Sequence, residues 1–420
     1  MTIKNAKRVH FVGIGGIGMS ALARMLLHRG VTVSGSDASP SALTKTLEAE
    51  GMDVIYKQDD DYITSDIDVI IYTDAMRQDS PELIRAKELS VPTKSYFEAL
   101  GEIATDYKVI AVAGTHGKTT TTAMTANALI SAGIDPTVIV GSLVNFVDAE
   151  SDTSTNFRAG SSEYLLVEAC EYKRHFLHLQ PYILAVTNIE LDHPDYYKDL
   201  ADVEDAFAEL ASKSEIVIAD DTMQKYVLQV PELKAPGEYN IQNAALALAI
   251  CDEVGADLQI AKRALEEFGG TWRRFDYKGK TKKGAQVYDD YAHHPTAIRA
   301  MLKALNDRKN MGSKIIVVFE SHTYTRTFKL MDDFATSFEY ADEVIIAPIY
   351  AAREEPIDGV NAQVLASKIA KNRDKRNTVR YTNTLEEAVQ IANELGKEGD
   401  VIVFMGAGDI YRLVPSIIQK

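Results

Sequence analysis

The sequence predicts an α/β protein with three domains, each built on a mostly parallel sheet flanked by helices. Short β-rich runs alternate with amphipathic stretches along the chain, which is typical of this architecture. Two glycine-rich loops, at residues 13–18 and 114–120, each follow a predicted strand and precede a predicted helix. With 420 residues, the chain has room for about two to four domains. We place the domains at residues 1–104, 105–271 and 272–420.

The predicted elements follow this division. In the first domain we expect strands at residues 9–14, 31–35 and 67–72 and helices at 17–28, 42–50 and 81–89. In the second we expect strands at 108–113, 164–167, 183–186 and 215–219 and helices at 118–132, 240–253 and 258–268. In the third we expect strands at 286–288, 314–319, 343–347 and 401–405. The polar stretch 150–162 is predicted to be a surface loop.

Composition excludes several classes of protein. Hydrophobic residues make up 46% of the chain and charged residues 25%, as in ordinary globular proteins. The formal net charge of −16 argues against binding to nucleic acid or to acidic membranes, because like charges repel. Two widely separated cysteines, Cys170 and Cys251, form no disulfide or metal pattern. With neither a signal peptide nor an apolar run long enough to span a bilayer, we expect a cytoplasmic protein without membrane insertion.

The first glycine loop has the spacing G-x-G-x-x-G, formed by Gly13, Gly15 and Gly18, and Asp37 follows the second predicted strand. Such a loop brings the backbone and a helix N-terminus close to a diphosphate, and Asp37 could accept hydrogen bonds from a ribose. NAD(P), FAD and a nucleotide sugar would all suit it, and so would a turn without a ligand. The loop therefore predicts a Rossmann-like domain but does not choose its ligand.

The second glycine loop, at residues 114–120, contains Gly117, Lys118 and Thr119. Backbone N–H groups and the Lys118 ammonium group would surround nucleotide phosphates, and the Thr119 hydroxyl would bind Mg²⁺. The loop departs from the pattern G-x-x-x-x-G-K-[ST], because Val112 stands in place of the first glycine. A chance match is the alternative, but the position between strand and helix favours an ATP site in a P-loop ATPase-like central domain.

Polar residues follow the next strands of the central domain. Glu168 ends the strand 164–167, where a carboxylate beside a phosphate loop is well placed for Mg²⁺. An ordinary carboxylate at a strand end is the alternative. Asn188 follows the next strand, and His193 lies in the loop beyond it. Because a lone histidine is more often a packed polar residue and Mg²⁺ prefers oxygen, the spacing alone does not favour His193 as a ligand.

The third domain contains polar clusters at residues 272–275, 289–295 and 322–327. The adjacent arginines Arg273 and Arg274 could pair with phosphate, and an arginine in the last cluster could pair with a carboxylate. The last two clusters each follow a predicted strand, so we expect both at the carboxyl edge of one sheet. A polar rim without function is the alternative, but two clusters on one edge favour a site and predict a Rossmann-like C-terminal domain.

Taken in order, these motifs resemble those of the Mur ligases, nearly from end to end of the chain. The resemblance is carried by residues 10–20, 34–37, 114–120, 168–172, 187–189, 192–193, 273–275, 289–296, 322–327 and 406–410. Mur ligases use ATP to join an amino acid to a carboxylate on a UDP-linked sugar. The resemblance implies UDP-N-acetylmuramate and L-alanine as substrates, with Mg²⁺ or alternatively Mn²⁺ as the metal, in peptidoglycan precursor synthesis by a monomer or homodimer.

The resemblance also assigns residues to sites. For UDP it implies Gly15, Gly16, Ile17, Gly18, Ser36 and Asp37. For ATP it implies Gly114, Thr115, His116, Gly117, Lys118, Thr119, Thr120, Asn243, Arg274 and Asp290. For the amino-acid end it implies Tyr291, His293, His322, Tyr324 and Arg326. For the metal it implies Thr119, Glu168 and His193, and for catalysis Lys118, Glu168 and His193.

The chain departs from the family pattern just before His322. Glu320 and Ser321 replace a Gln-Pro pair, and we expect this to add a charge near the amino-acid site. A ligase that attaches a recycled murein peptide to the same sugar nucleotide is the nearest alternative. An NAD-dependent oxidoreductase would use only the first loop, and a nucleotide-regulated binding protein would have no turnover.

Overall fold

The computed structural model describes residues 2–77, 79–149, 154–352, 354–373 and 378–419. The chain forms two compact units. Unit 1 comprises Met1–Ile189, Val203–Pro231 and Asn243–Glu266, and unit 2 comprises Glu190–Asp202, Glu232–Gln242 and Glu267–Lys420. Two sheets lie in unit 1 and one in unit 2, each within one of the three predicted domains. The α/β class with mostly parallel sheets is confirmed, whereas the exact domain boundaries stay predictions. No helix within the described ranges is long and apolar enough to cross a membrane.

The first sheet has five parallel strands. The strands are β1 (Arg8–Val12), β2 (Thr32–Ser36), β3 (Asp53–Ile55), β4 (Val69–Tyr72) and β5 (Thr93–Ser95), and the helices are α1 (Ile17–His28), α2 (Ala42–Ala49), α3 (Pro81–Glu88) and α4 (Tyr96–Ala104). Their order is β3-β2-β1-β4-β5. The order therefore reverses between β1 and β4, and the first glycine loop leaves the carboxyl end of β1 at this reversal, where ligands bind in open α/β sheets.

The second sheet has six strands. The strands are β6 (Lys108–Ala113), β7 (Thr137–Val144), β8 (Thr155–Arg158), β9 (Tyr164–Glu168), β10 (Ile183–Val186) and β11 (Ile216–Ile218), and the helices are α5 (Lys118–Ser131), α6 (Leu200–Ser212), α7 (Asp220–Val227), α8 (Glu238–Glu253) and α9 (Leu258–Glu267). The order is β11-β10-β6-β9-β7-β8, with β8 antiparallel to β7. Because β10, β6 and β9 are parallel neighbours, their carboxyl ends bring three polar loops to one edge.

The prediction of a surface loop at residues 150–162 was wrong for β8. This strand pairs with β7, and its Asn156 is fully buried. The Asn156 amide donates to the Ile17 carbonyl at 2.5 Å and to the Ser20 hydroxyl at 2.8 Å. These bonds to α1 satisfy a polar side chain that would otherwise be unstable in the interior. Residues 150–153 lie outside the described part of the chain.

The third sheet has six strands. The strands are β12 (Asp276–Lys280), β13 (Gln286–Asp290), β14 (Ile315–Phe319), β15 (Glu343–Ile346), β16 (Thr378–Tyr381) and β17 (Val401–Met405), and the helices are α10 (Pro295–Arg308), α11 (Tyr324–Lys329), α12 (Met331–Thr336), α13 (Ala362–Lys371) and α14 (Leu385–Leu395). The order is β12-β13-β17-β14-β15-β16, with β12 antiparallel to β13. Helices α10, α12 and α13 cover one face and α14 covers the other. The ends of β13, β17 and β14 thus meet at one edge.

Candidate active site

The loop between β6 and α5 forms the centre of the candidate site in unit 1. Gly114 and Gly117 have positive φ, 137° and 85°. A Cβ on Gly114 would collide with the Thr187 hydroxyl, and one on Gly117 would collide with the Asn243 side chain. At both positions glycine is therefore required for two reasons: the backbone has a positive φ, and a side chain has no room. Asn243, predicted to lie near the adenine, packs against this loop and accepts a hydrogen bond from the Thr121 hydroxyl at 3.2 Å.

Lys118 is held inside the loop that it follows. Its ammonium group donates to the carbonyls of Gly114 and Thr115 and to Glu171 Oε2 at 2.8 Å. Burial lowers the pKa of Lys118, but the charge and hydrogen bond of Glu171, together with the other acidic groups around it, outweigh burial, and the pKa is raised overall. Lys118 is therefore a cation at neutral pH, which a phosphate-binding lysine must be. Glu171 was not predicted as a site residue, although it lies in one of the quoted motifs.

Two oxygen-bearing side chains, one from the start of α5 and one from the end of β9, lie together beside the loop. The Thr119 hydroxyl donates to Glu168 Oε1 at 3.0 Å. The other carboxylate oxygen of Glu168 accepts the Gly141 N–H at 2.8 Å, which fixes the orientation of the acid. A hydroxyl and a carboxylate side by side at a phosphate loop are the ligands that Mg²⁺ prefers. The structure thus brings Thr119 and Glu168 together, and their role as metal ligands stays a prediction.

The end of β10 supports the remaining part of the loop. The Asn188 side chain accepts the His116 N–H at 2.9 Å and donates to the His116 carbonyl at 3.0 Å. The Thr187 hydroxyl donates to the same carbonyl at 2.5 Å, and the Thr115 N–H donates to the Asn188 carbonyl at 2.9 Å. His116 and Thr115 are thus fixed by the neighbouring strand, and Thr120 lies in the first turn of α5.

The first glycine loop lies beside its predicted acid. Asp37 accepts the Gly15 N–H at 2.8 Å, while the Ser36 carbonyl accepts N–H groups from the start of the loop. A Cβ on Gly18 would lie 2.9 Å from the ring of Tyr96, so the loop packs directly on this tyrosine. Burial, with the charge of Glu168, raises the pKa of Tyr96. Tyr96 therefore packs on the first glycine loop, and its pKa also responds to the charge of Glu168 at the end of β9.

In unit 2, Arg273 and Arg274 have different environments. Arg273 is 3% exposed, pairs with Asp289 at 3.2 Å and donates to two backbone carbonyls of the turn after β17. The guanidinium of Arg274 lies 4.8 Å from the ring centre of Tyr291. Asp290 accepts two backbone N–H groups at 2.7 and 2.8 Å, and burial raises the pKa of its carboxyl. Arg273 thus stabilises the fold, whereas Arg274 remains a candidate phosphate ligand.

The predicted amino-acid residues form a second group in unit 2. Arg326 donates to Asp192 Oδ1 at 2.8 Å through one nitrogen and lies 3.2 Å from His322 Nδ1 through another. The His322 ring lies 6.0 Å from that of His293. Burial, reinforced by the charge of Arg326, lowers the pKa of His322 to about 4 and that of His293 well below its usual value. Both imidazoles are neutral at pH 7.

Asp192 was not predicted as a site residue. It is 6% exposed, which favours the neutral acid, but Arg326 and the neighbouring histidines together outweigh burial and hold the pKa of its carboxyl well below the usual range. Arg326 therefore already has a carboxylate partner. His193 follows Asp192 in unit 2, with a positive φ of 50°. Thr119 and Glu168 belong to unit 1, and the role of His193 as a metal ligand stays a proposal. Tyr324 begins α11 and packs against the core of the third sheet.

The expectation that Glu320 adds a charge beside the amino-acid residues was wrong. Its carboxylate faces the turn after β17, where it accepts the Ile410 N–H at 2.8 Å. Ser321 is also fully buried, and its hydroxyl lies 2.6 Å from that of Thr327. The sequence places both residues at a strand end but does not specify which neighbour each side chain faces.

Three family models match successive parts of the chain. The model "Mur ligase family, catalytic domain" matches residues 8–108, "Mur ligase middle domain" matches 112–232, and "Mur ligase, glutamate ligase domain" matches 273–408. The chain belongs to the Mur ligase family. The matched ranges contain the glycine loops, Glu168 and the clusters of the third sheet. The matched ranges thus contain most of the residues described above, and Asn243 lies between the second range and the third.

Full-length relatives refine this placement. The UDP-N-acetylmuramate--L-alanine ligase of Agathobacter rectalis is 36% identical to this chain and covers 98% of both chains. The solved UDP-N-acetylmuramate-alanine ligase of Thermotoga maritima aligns with a TM-score of 0.80 at 27% identity, again over 98% of both chains. A murein peptide ligase from Psychrobacter arcticus has a TM-score of 0.68 at 22% identity over 98% of both chains, which shows a shared fold.

Proposed function

We propose that this chain is an ATP-dependent ligase that joins the carboxylate of UDP-N-acetylmuramate to the amine of L-alanine, with release of ADP and phosphate. Similarity over 98% of the chain to a ligase of that name carries the proposal. The geometry agrees with it, because unit 1 holds both the Lys118 loop and the first glycine loop, which lies where the strand order of its sheet reverses. An oxidoreductase that uses only the first loop would leave the Lys118 loop without a role.

The phosphate loop supplies the charge that ATP requires. Lys118 would exchange its contacts with backbone carbonyls for the β- and γ-phosphates, and the N-terminus of α5 would add backbone N–H groups. Thr119 and Glu168 fit Mg²⁺ because both offer oxygen ligands 3.0 Å apart. A cation held there would partly neutralise the negative charge of the phosphates. With the charge neutralised, an incoming carboxylate can approach the γ-phosphorus.

The reaction then requires two successive displacements. The muramoyl carboxylate attacks the γ-phosphorus of ATP and gives an acyl phosphate and ADP. The free amine of alanine attacks the acyl carbon, and phosphate leaves. Much of this chemistry is positioning and charge stabilisation. We assign the UDP moiety to the loop beside Asp37, because this glycine loop lies where the strand order of the first sheet reverses, the place where ligands bind in open α/β sheets.

The amino-acid end is assigned to the histidine group of unit 2. His293 accepts no proton at neutral pH, because its pKa is well below 6.5. Its Nδ1 lies 2.9 Å from the Tyr291 carbonyl, so Nδ1–H donates there and Nε2 is left as an acceptor. Neutral imidazoles of this kind can accept hydrogen bonds from the ammonium group of alanine. A base must take the proton that the amine loses, and we propose His193 for this role as the alternative to its role as a metal ligand, because its one unprotonated ring nitrogen can serve only one of them.

Phosphate release tests this proposal directly. Wild-type protein is incubated with ATP, Mg²⁺ and UDP-N-acetylmuramate, with or without L-alanine, beside Lys118→Ala and Lys108→Ala. Lys108 is a matched control, because it lies at the opposite end of β6 and pairs with Glu163 at 2.9 Å. We expect alanine-dependent release in the wild type and Lys108→Ala and none in Lys118→Ala. Release that depends on a tripeptide in place of alanine would favour the murein peptide ligase instead.

A further inference from the structure

Glu320 is buried at the carboxyl end of β14, and its side chain faces the turn that follows β17. Only 2% of the residue is exposed. One carboxylate oxygen accepts the Ile410 backbone N–H at 2.8 Å. A Cβ on Gly408 would lie 2.5 to 2.8 Å from the three atoms of the carboxylate group. The turn therefore encloses the acid so closely that only glycine fits at that position.

Arg273 holds the same turn from its carbonyl side. Its guanidinium donates to the Gly406 carbonyl at 2.5 Å and to the Gly408 carbonyl at 3.4 Å, and it pairs with Asp289. The turn is thus bound to a cation through its carbonyls and to the Glu320 carboxylate through an N–H. The buried carbonyls of the turn thus have a cationic donor, and the buried N–H has an acceptor on the Glu320 side chain.

The turn is also connected to the residues that we assign to ATP. The Gly406 N–H donates to the Asp290 carbonyl at 3.1 Å. The ring of Tyr291 lies 4.8 Å from the guanidinium carbon of Arg274 and 5.2 Å from that of Arg273. Movement of the turn would therefore displace Arg273 and Asp290 directly, and Arg274 through the ring of Tyr291.

We propose that Glu320 is a positioning residue, which fastens the turn 406–410 against Arg273 and thereby fixes Asp290 and Arg274 for nucleotide binding. Its kinetic consequence rests on the proposed function. The effect of Glu320 on the stability of the turn does not depend on the proposed function, because the contacts all lie within unit 2 and stability is measurable without turnover. Glu320 itself touches no reacting group in this account.

The charged surroundings of Glu320 give a pH signature. Burial raises the pKa of Glu320 to about 7, with Asp409 adding to the rise and Arg273 opposing it; Arg273 is in turn paired with Asp289. Since the folded pKa lies above the ordinary value of 4.5, the folded state holds the proton more tightly than the unfolded chain. Stability therefore falls as pH rises between these values, and the full loss is present above the folded pKa.

The kinetic test compares Glu320→Ala with Glu320→Gln. The amide can still accept the Ile410 N–H, whereas alanine leaves that group unpaired next to a cavity. We expect Glu320→Ala to raise KM for ATP by about fivefold or more, and Glu320→Gln to restore it to within about twofold of wild type. An unchanged KM in Glu320→Ala, or an amide that fails to restore it, would overturn the proposal. Binding of a fluorescent ATP analogue with Mg²⁺ gives the same comparison without turnover.

The stability test uses Glu320→Gln and a second buried acid. We expect the Tm of Glu320→Gln relative to wild type to rise by about 2 °C or more between about pH 5.5 and about pH 8. Glu343→Gln is the control, because Arg380 and Lys314 pair with Glu343 and outweigh burial, so that the pKa of this acid is lowered. This control should lose stability at both pH values. A Glu320→Gln difference that does not grow with pH would contradict the proposal even if no ligase activity is found.

Discussion

Lys118 donates a hydrogen bond of 2.8 Å to Glu171, and the two side chains are only 13% and 3% exposed. The pair joins the first residue of α5 to the segment after β9. In the absence of nucleotide, the carboxylate of Glu171 balances the positive charge of Lys118. Nucleotide phosphates would compete with Glu171 for the same ammonium group. Glu171 therefore supplies the opposite charge that a buried lysine requires, and bound phosphate would have to replace this contact.

Glu171→Gln is predicted to destabilise the protein and to increase its stabilisation by ATP. Lys118 would stay buried without its counter-charge, at a cost of about 2–4 kcal/mol in the free energy of unfolding. Because bound phosphate would then supply the missing negative charge, ATP should raise Tm more in the variant than in the wild type. Denaturant titration and thermal melts with and without ATP measure both effects. Glu163→Gln, which removes the exposed partner of Lys108, is the control, and equal melts for all three proteins would count against this account.

Thr119→Val is predicted to weaken metal binding without unfolding the protein. Valine keeps the shape of threonine but removes the hydroxyl that lies 3.0 Å from Glu168 Oε1. We expect the Mg²⁺ concentration for half-maximal activity to rise by about tenfold or more. Thr125→Val is the control, since Thr125 is buried on the same helix and its hydroxyl has no hydrogen-bond partner among the described residues. If both variants need the same Mg²⁺ concentration as wild type, Thr119 is not a metal ligand.

Gly18→Ala is predicted to impair binding of the UDP-sugar. The added methyl group would lie 2.9 Å from the Tyr96 ring, so the loop or the tyrosine must move. We expect KM for UDP-N-acetylmuramate to rise by about tenfold, with a much smaller change in KM for ATP. Gly269→Ala is the control, because a Cβ there meets no atom within 4 Å. An equal rise in both KM values would indicate general disruption and not a defect of the UDP site.

His322→Gln is predicted to reduce the loss of stability in acid. The pKa of His322 is about 4 in the folded protein, below its ordinary value of 6.5. The unfolded chain therefore binds this proton first, and wild-type stability falls as pH decreases from about 6.5 to 4. The variant should avoid a loss on the order of 2 kcal/mol over that window. Urea titrations at several pH values measure the slopes, with His28→Gln as a control for removal of an exposed histidine. Parallel slopes for wild type and His322→Gln would contradict the prediction.

Much of the fold follows from local sequence. Helix α1 and strands β6, β10 and β17 occupy the predicted residues, because each is a strong apolar pattern next to glycine or polar punctuation. The edge strands β3 and β16 were not predicted. Their burial is only partial, so few apolar residues mark them, and their existence depends on pairing with a neighbouring strand.

Several residues of the candidate site were predicted from the sequence, but Glu171, Asp192 and the contacts that they make were not. Thr119 and Glu168 were predicted together because parallel strands place their loops at one edge. Lys118 and Glu171 are 53 positions apart, and Arg326 and Asp192 are 134 apart, so only tertiary packing brings them into contact. The side-chain orientation of Glu320 also depends on tertiary packing, because the turn that it contacts follows a different strand.

The most direct measurement traces oxygen from the muramoyl carboxylate. The protein is incubated with ATP, Mg²⁺, L-alanine and UDP-N-acetylmuramate whose carboxylate carries ¹⁸O, and the products are analysed by mass spectrometry. The account predicts a new alanyl amide on the sugar nucleotide and one ¹⁸O atom in the released phosphate. A carboxylate oxygen first bonds to the γ-phosphorus, and it leaves with the phosphate when the amine attacks the acyl carbon. ADP formed without the amide, or phosphate without the label, would contradict it.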